Sequence, residues 1–295
     1  MGYSRRVSGN PDLEPEKSTN YNLGVVVEPR FIPAALGRVT LTADHWSIKQ
    51  AGIVGVLGND TAIALDYLLR LQGSSNPNVV RDAPNADDVA FFAGTGISPT
   101  GRINIVRDQF VNLSPQTVRG IDFGFYWISP RSRLGQIDLS ADTTRLLKFS
   151  RAPGLDVDSL VAARSAGQIN VATPLPETQD LIEVNGRPKW RATSTLTWSL
   201  GQFRVGAFGR YIGAVDETGF VDADGDPYRV KSQFTLNLYG QVTFGDRKAQ
   251  GYEARLRAGV RNFFDKDPPL TSEGYLGSLY NPYARYWYTS ISLEY

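Results

Sequence analysis

Apolar and polar residues alternate with a period of two along most of this 295-residue chain, and no other feature restricts its fold as much. The closing segment shows the pattern most clearly. Arg285, Trp287, Thr289, Ile291, Leu293 and Tyr295 share one face, while Tyr286, Tyr288, Ser290, Ser292 and Glu294 share the other. Trp190, Ala192, Leu196, Trp198 and Leu200 oppose Arg191, Thr193, Thr195, Thr197 and Ser199. Phe203, Val205, Ala207 and Tyr211 oppose Arg204, Gly206 and Arg210, and Leu256, Ala258 and Val260 oppose Arg255, Arg257 and Arg261. Phe234, Leu236, Leu238, Val242 and Phe244 form a further apolar face. Noisier runs at residues 18–28, 39–44, 121–127 and 136–141 bring the total to about nine strands. Only Asn59–Leu71 reads as a helix, with Ile63, Tyr67 and Leu71 stacked on one side and Asp60 or Thr61 as N-cap.

Period alone does not separate a soluble sandwich, apolar face inward, from a membrane barrel, apolar face to lipid. Connection lengths do. Short connections fall at residues 29–37, 129–133, around Gly201, and at 245–251; long ones fall at 51–101, 149–188, 212–231 and 264–284. They alternate strictly, provided that residues 103–127 form one long strand bulged near 112–116, across Ser114-Pro115. Outer-membrane barrels sort their connections in this way, with short periplasmic turns and long extracellular loops. Tyr21, Trp46, Trp127, Trp190, Trp198, Tyr211, Trp287 and Tyr295 then fit aromatic girdles at the two membrane interfaces. The expected fold is all-β, an antiparallel transmembrane β-barrel with long extracellular loops.

Composition narrows the chemistry. Cys is absent and His occurs once, so thiolate nucleophiles, disulfides and multi-His metal sites are excluded. His45, beside Trp46 near an expected strand end, reads as interfacial rather than catalytic. Lys+Arg 31 against Asp+Glu 30 leaves +1, which offers no field for nucleic acid. No run approaches the roughly 20 apolar residues of a spanning helix. No apolar segment follows Met1-Gly2-Tyr3-Ser4-Arg5-Arg6, so the chain is expected to be cytosolic or not the natural beginning of its protein.

Several motifs then carry a resemblance. Asn10-Pro11-Asp12-Leu13-Glu14-Pro15-Glu16, continuing through Ser18, Tyr21, Leu23 and Gly24, resembles the NPxLxPExSxxYxLG segment of TonB-dependent outer-membrane receptors. Val260-Arg261-Asn262-Phe263-Phe264-Asp265-Lys266-Asp267-Pro268-Pro269 is similar to their late VxNLFDKxPP motif, and Val118-Arg119-Gly120-Ile121-Asp122 to their RGxE/D strand. Tyr280-Asn281-Pro282 and the strand ending at Tyr295 match the family's end. The resemblance implies a 22-stranded barrel filled by an N-terminal plug, placed in the Gram-negative outer membrane. Residues 1–295 would be the C-terminal portion, about nine strands without a plug domain, and Gly2 to Ser8 the tail of a preceding strand. The implied function is energised uptake, without catalysis, of a ferric siderophore, cobalamin, glycan or similar ligand. The implied partners are outer-membrane lipid, the barrel-assembly machinery, and the TonB complex through the missing plug. Competing readings are a passive porin-like channel, a non-functional remnant, a barrel hydrolase dependent on His45, and a soluble sandwich module.

Candidate sites follow. Arg191, Arg204, Arg210, Arg255, Arg257 and Arg261, on what reads as three consecutive strands, could guide an anionic ligand; the alternative is pairing with acids of the plug or of neighbouring strands. Tyr275, Tyr280 and Tyr283 could stack on a ligand or pack their loop. Tyr275, Tyr280, Tyr283, Arg204, Arg210 and Arg257 are therefore the candidate ligand contacts. Asp222, Asp224 and Asp226 have calcium-loop character without the later Glu of an EF-hand. Trp287, Ile291, Leu293 and Tyr295 resemble the terminal signal read by barrel-assembly machinery.

Overall fold

A computed structural model describes residues 2–295 except 153, 171–172, 174, 177, 222–225 and 273. Nine of its strands succeed one another in a single sheet: β1 (Lys17–Val27), β2 (Arg38–Ala51), β3 (Gln116–Ile128), β4 (Gln136–Arg151), β5 (Trp190–Leu200), β6 (Phe203–Ile212), β7 (Gln233–Asp246), β8 (Tyr252–Arg261) and β9 (Tyr286–Glu294). Each lies beside the next in chain order, and a tenth short strand, Gln179–Asp180, pairs with the end of β4. From β4 to β9 every pairing is antiparallel. The nine are 9 to 16 residues long, enough for tilted strands to cross a bilayer.

The length sorting holds. Residues 28–37, 129–135, 201–202 and 247–251 join strands at one end, and 52–115, 152–189, 213–232 and 262–285 join them at the other. Two short turns depend on glycines with positive φ, Gly37 at 89° and Gly135 at 94°. At that end Trp127 donates its indole N–H to the Leu36 carbonyl at 2.7 Å, and Trp198 donates to Leu134 at 2.8 Å. Each tryptophan pins the turn of the preceding hairpin.

One condition behind the expected topology fails. Residues 103–127 are not one strand. Ile103–Gln109 pairs in parallel with Ser4–Ser8 and antiparallel with Val79–Arg81, Val111–Leu113 pairs with Ile53–Gly55, and β3 starts only at Gln116. Pro115 has no N–H to continue a ladder; its carbonyl accepts from the Ala152 N–H at 2.9 Å instead. The sorting survives because 103–115 join the long connection.

The chain divides into two units. The first gathers Met1–Asn20, Ile48–Thr117 and Phe149–Leu181. Its helices α1 (Asn59–Leu71) and α3 (Leu155–Ser165) bury Ala64, Leu68, Leu160, Ala163 and Ile169 together. Fully buried Asp66 accepts from Arg70 and Arg81, both at 3.0 Å, and from the Asn76 N–H at 2.9 Å. α1 spans the expected residues, but Gly58, not Asp60 or Thr61, is the N-cap, without a side-chain cap. α2 (Ala86–Phe92) begins with a reciprocal Asn85–Asp88 capping box. The Asn10-to-Glu16 motif is a staple. Asn10 accepts from the Asp12 N–H and donates to the Phe110 carbonyl at 3.0 Å, Asn112 exchanges bonds with the Glu14 backbone, and Glu16 accepts from the Val54 N–H.

The second unit comprises Tyr21–Ser47, Val118–Lys148 and Ile182–Tyr295. Its buried cluster, Ile212, Val215, Val230, Leu279 and Tyr280, lies in the long connections and at a strand end. The apolar strand faces are not covered: Trp287, Ile291 and Leu293 are 74%, 80% and 60% exposed. A soluble sandwich would bury such a face. Trp46 departs from the girdle expectation. It lies on the polar face, with its indole over Gly120, where no Cβ would fit. His45 sits in mid-strand on β2, not near its end, because the ladder continues to Ala51.

Gly120→Val should therefore collide with Trp46 and destabilise the sheet by about 1–3 kcal/mol in urea unfolding from detergent. A second change, Trp46→Ala, should relieve most of the collision.

Candidate functional site

The polar face of the second unit is built row by row from strand register. One row runs Asp142, Thr193, Arg210, Thr235 across β4 to β7, and another Ser199, Arg204, Gln241, Arg257, Ser290 across β5 to β9. The six arginines do not occupy consecutive strands. Arg191 is on β5, Arg204 and Arg210 on β6, and Arg255, Arg257 and Arg261 on β8; β7, which lies between, contributes Thr235, Asn237, Tyr239, Gln241 and Thr243. Mid-strand acids fall elsewhere: Asp44 on β2, Asp122 on β3, Asp138 and Asp142 on β4. Two of these are held by neutral groups, Asp142 by the Tyr126 hydroxyl and Asp122 by the Thr144 hydroxyl at 2.7 Å. The face is thus divided into an acidic stretch and a basic one. Sequence reading missed the acidic stretch, although the alternation already placed those residues on the polar side.

Three of the six arginines, Arg204, Arg257 and Arg261, meet neutral partners. Only Arg255 is bound by carboxylates, Glu253 and Glu294, among the described residues of this set. Arg257 donates twice to the Gln241 carbonyl oxygen, at 3.1 and 2.8 Å, with its guanidinium 4.4 Å from the Tyr239 ring centroid. Arg261 lies 5.7 and 5.6 Å from the rings of Tyr286 and Tyr288. Among the described residues Arg204 reaches only the Ser199 hydroxyl, at 3.3 Å. Aromatic faces and amides keep these cations ordered without neutralising them. The rings lie flat because glycines face them: a Cβ on Gly206 would enter the Tyr239 ring, and one on Gly259 the Tyr288 ring.

The candidate ligand contacts fall into separate places. Tyr283 and Arg210 line one cavity of about 150 Å³, with Arg261, Asn237, Phe208 and Tyr286. Arg204 and Arg257 line another, of about 380 Å³, with Arg255, Gln241 and Glu253. Tyr275 lies exposed in a two-residue strand opposite Leu270. Tyr280 packs the loop core at 3% exposure, and its hydroxyl has no hydrogen-bond partner among the described residues. Burial pushes its phenol above the ordinary 10.0, while Arg191 and Arg210 pull the other way. Arg229, on the loop strand Pro227–Val230, is raised by its bond to Asp216 at 2.8 Å.

Asn262, at φ 50°, closes the late motif: its side chain exchanges bonds with the Lys266 backbone at 2.9 Å, and Asp265 accepts from the Arg285 N–H at 2.7 Å. Asp222 and Asp224 lie outside the described residues; Asp226 immediately precedes the strand Pro227–Val230. Trp287, Ile291 and Leu293 point out from β9, and Tyr295 follows it.

An antiparallel meander with an uncovered apolar face, length-sorted connections and a polar, charged opposite face is the wall of a transmembrane β-barrel. The family model described as TonB dependent receptor-like, beta-barrel matches residues 1–263. The chain belongs to the TonB-dependent receptor family, whose members are Gram-negative outer-membrane receptors and transporters acting with TonB and a ligand. Among solved structures it is similar to the siderophore receptor PirA of Acinetobacter baumannii (17% identity, TM-score 0.55, covering 97% of this chain and 32% of that one). The ferric enterobactin receptor PfeA of Pseudomonas aeruginosa is also similar (15%, 0.53, 97% and 32%). So is the FrpB iron transporter of Neisseria meningitidis (9%, 0.51, 98% and 32%). At these identities the likeness is one of fold. The chain spans about a third of the length of these structures. No curated protein matches.

The raised phenol of Tyr280 makes its contribution to stability complete below pH 10, the unfolded value, and lost as pH rises through the folded one. Tyr280→Phe should leave stability at pH 8 unchanged or raise it by about 1 kcal/mol, and should flatten the loss between pH 8 and pH 11. Thermal midpoints by near-ultraviolet circular dichroism check both.

Proposed function

We propose that this chain forms the C-terminal part of the barrel wall of an outer-membrane importer whose ligand is an anionic iron chelate of the ferric siderophore kind. The observation that carries this reading is the basic stretch of the polar face, where Arg204, Arg257 and Arg261 are oriented by hydroxyl, amide and aromatic groups rather than by carboxylates, with Arg210 beside Arg261 in one cavity. Cations left uncompensated in a narrow, low-dielectric passage attract anions strongly. The structural neighbours described as a siderophore receptor and a ferric enterobactin receptor support the same class of ligand. The plug, and the further strands that close the barrel, would lie in the remainder of a protein about three times as long. TonB would act through that plug, and uptake would make and break no bond. Trp287, Ile291, Leu293 and Tyr295 would present the assembly signal on β9.

In outer-membrane vesicles carrying the protein, a ferric tris-catecholate should quench tryptophan fluorescence and a neutral oligosaccharide should not. Arg210→Glu combined with Arg261→Glu should weaken the ferric chelate at least tenfold. Undiminished binding by that variant, or preferential binding of cobalamin or the oligosaccharide, contradicts the reading.

A further inference from the structure

A third cavity, of about 730 Å³, opens on the other side of the sheet, where β6 ends and β7 begins. Tyr211 and Phe234, partners in register, form its floor. Both belong to the apolar alternation that continues down β6 and β7 through Val205, Ala207, Leu236 and Leu238, so the floor is the upper end of the lipid-facing surface. Phe264 extends it, with its ring centroid 6.4 Å from that of Phe234. This is the end from which the long connections emerge, the extracellular side in barrels of this kind.

The cavity's upper rim is cationic. Lys231 and Lys266 line it, both exposed, and neither ammonium has a hydrogen-bond or ion-pair partner among the described residues. Arg229 also lines it but is committed to Asp216 at 2.8 Å and Glu183 at 3.3 Å. Asp267 is the one carboxylate of the lining. The rim is fixed rather than loose: Asn262 clamps the Lys266 backbone at 2.9 Å on both sides, and Gln233 donates to the Asp267 carbonyl at 2.9 Å. An aromatic floor at the acyl boundary beneath two unpaired ammoniums matches a lipid with a phosphorylated headgroup.

We propose that this cavity docks a phosphorylated lipid of the outer leaflet, with its phosphate between Lys231 and Lys266 and its acyl chains against Tyr211, Phe234 and Phe264. The inference needs the chain's membrane placement but not the identity of any transported ligand, so the two readings fail separately.

The test is native mass spectrometry of the protein reconstituted with a bis-phosphorylated glycolipid, its dephosphorylated form, or neither, and challenged with inorganic phosphate. The phosphorylated lipid should be retained roughly 10- to 30-fold better than the dephosphorylated one, the effect of two cations near a charged surface. Lys231→Glu with Lys266→Glu should abolish that preference, and Lys248→Glu at the short-turn end should leave it intact. Lys231→Ala with Lys266→Ala gives the same readout if charge reversal prevents folding. Equal retention of both lipids, loss of preference in Lys248→Glu, or complete displacement by phosphate alone overturns the proposal.

Discussion

Backbone amides that cross a membrane have no water to bond, and each one left unpaired costs several kcal/mol. That constraint organises the chain. It demands a ladder in which every spanning strand has neighbours, and β1 to β9 supply one by simple succession, each strand pairing with the next. It also fixes which side chains go where. With the ladder in the sheet plane, period-two alternation sends Trp287, Ile291 and Leu293 to lipid and Arg257, Gln241 and Ser290 to the opposite face. The buried clusters then have no role in the sheet itself and appear in the connections, where water returns.

What remains for function is the polar face and the loops above it. Flattened rings over glycines give that face a surface on which the Arg257 and Arg261 guanidiniums lie without meeting acids among the described residues. The same packing explains a sequence motif: Gly120 lies between Arg119 and Asp122 because the Trp46 indole occupies the space of its side chain. The other family motifs act similarly. Asn10 to Glu16 and Asn262 to Lys266 bind backbone groups where the chain leaves or enters a strand, so they mark the fold rather than a ligand.

Legibility in the sequence follows from these physics. Alternation is strong in β5 to β9, and those strands and their faces were readable because membrane and lumen impose opposite polarity on adjacent residues. Ile103–Gln109 and Val111–Leu113 alternate too, but their partners are Ser4–Ser8, Val79–Arg81 and Ile53–Gly55, long-range pairings that period alone does not encode. Pro115 was the available warning, since it ends the ladder. Neither α2 nor α3 was read as a helix: the Asn85–Asp88 capping box was the available sign for α2, which is only seven residues long, and the mixed faces of α3 gave none. The arginines were readable as a polar-face group, but their neutral partners depend on register. Tyr280 gave no sign that its hydroxyl would be buried beside Arg191 and Arg210.

The central claim is that the two faces of this sheet meet different solvents. The chain contains no cysteine, so single-cysteine substitutions along β6, from Phe203 to Ile212, can each be labelled without background in outer-membrane vesicles. Labels at 204, 206, 208 and 210 should react with a water-soluble maleimide and resist quenching by nitroxide lipids. Labels at 203, 205, 207 and 211 should do the reverse. Alternation of the opposite phase, or uniform reactivity along the strand, would contradict the account.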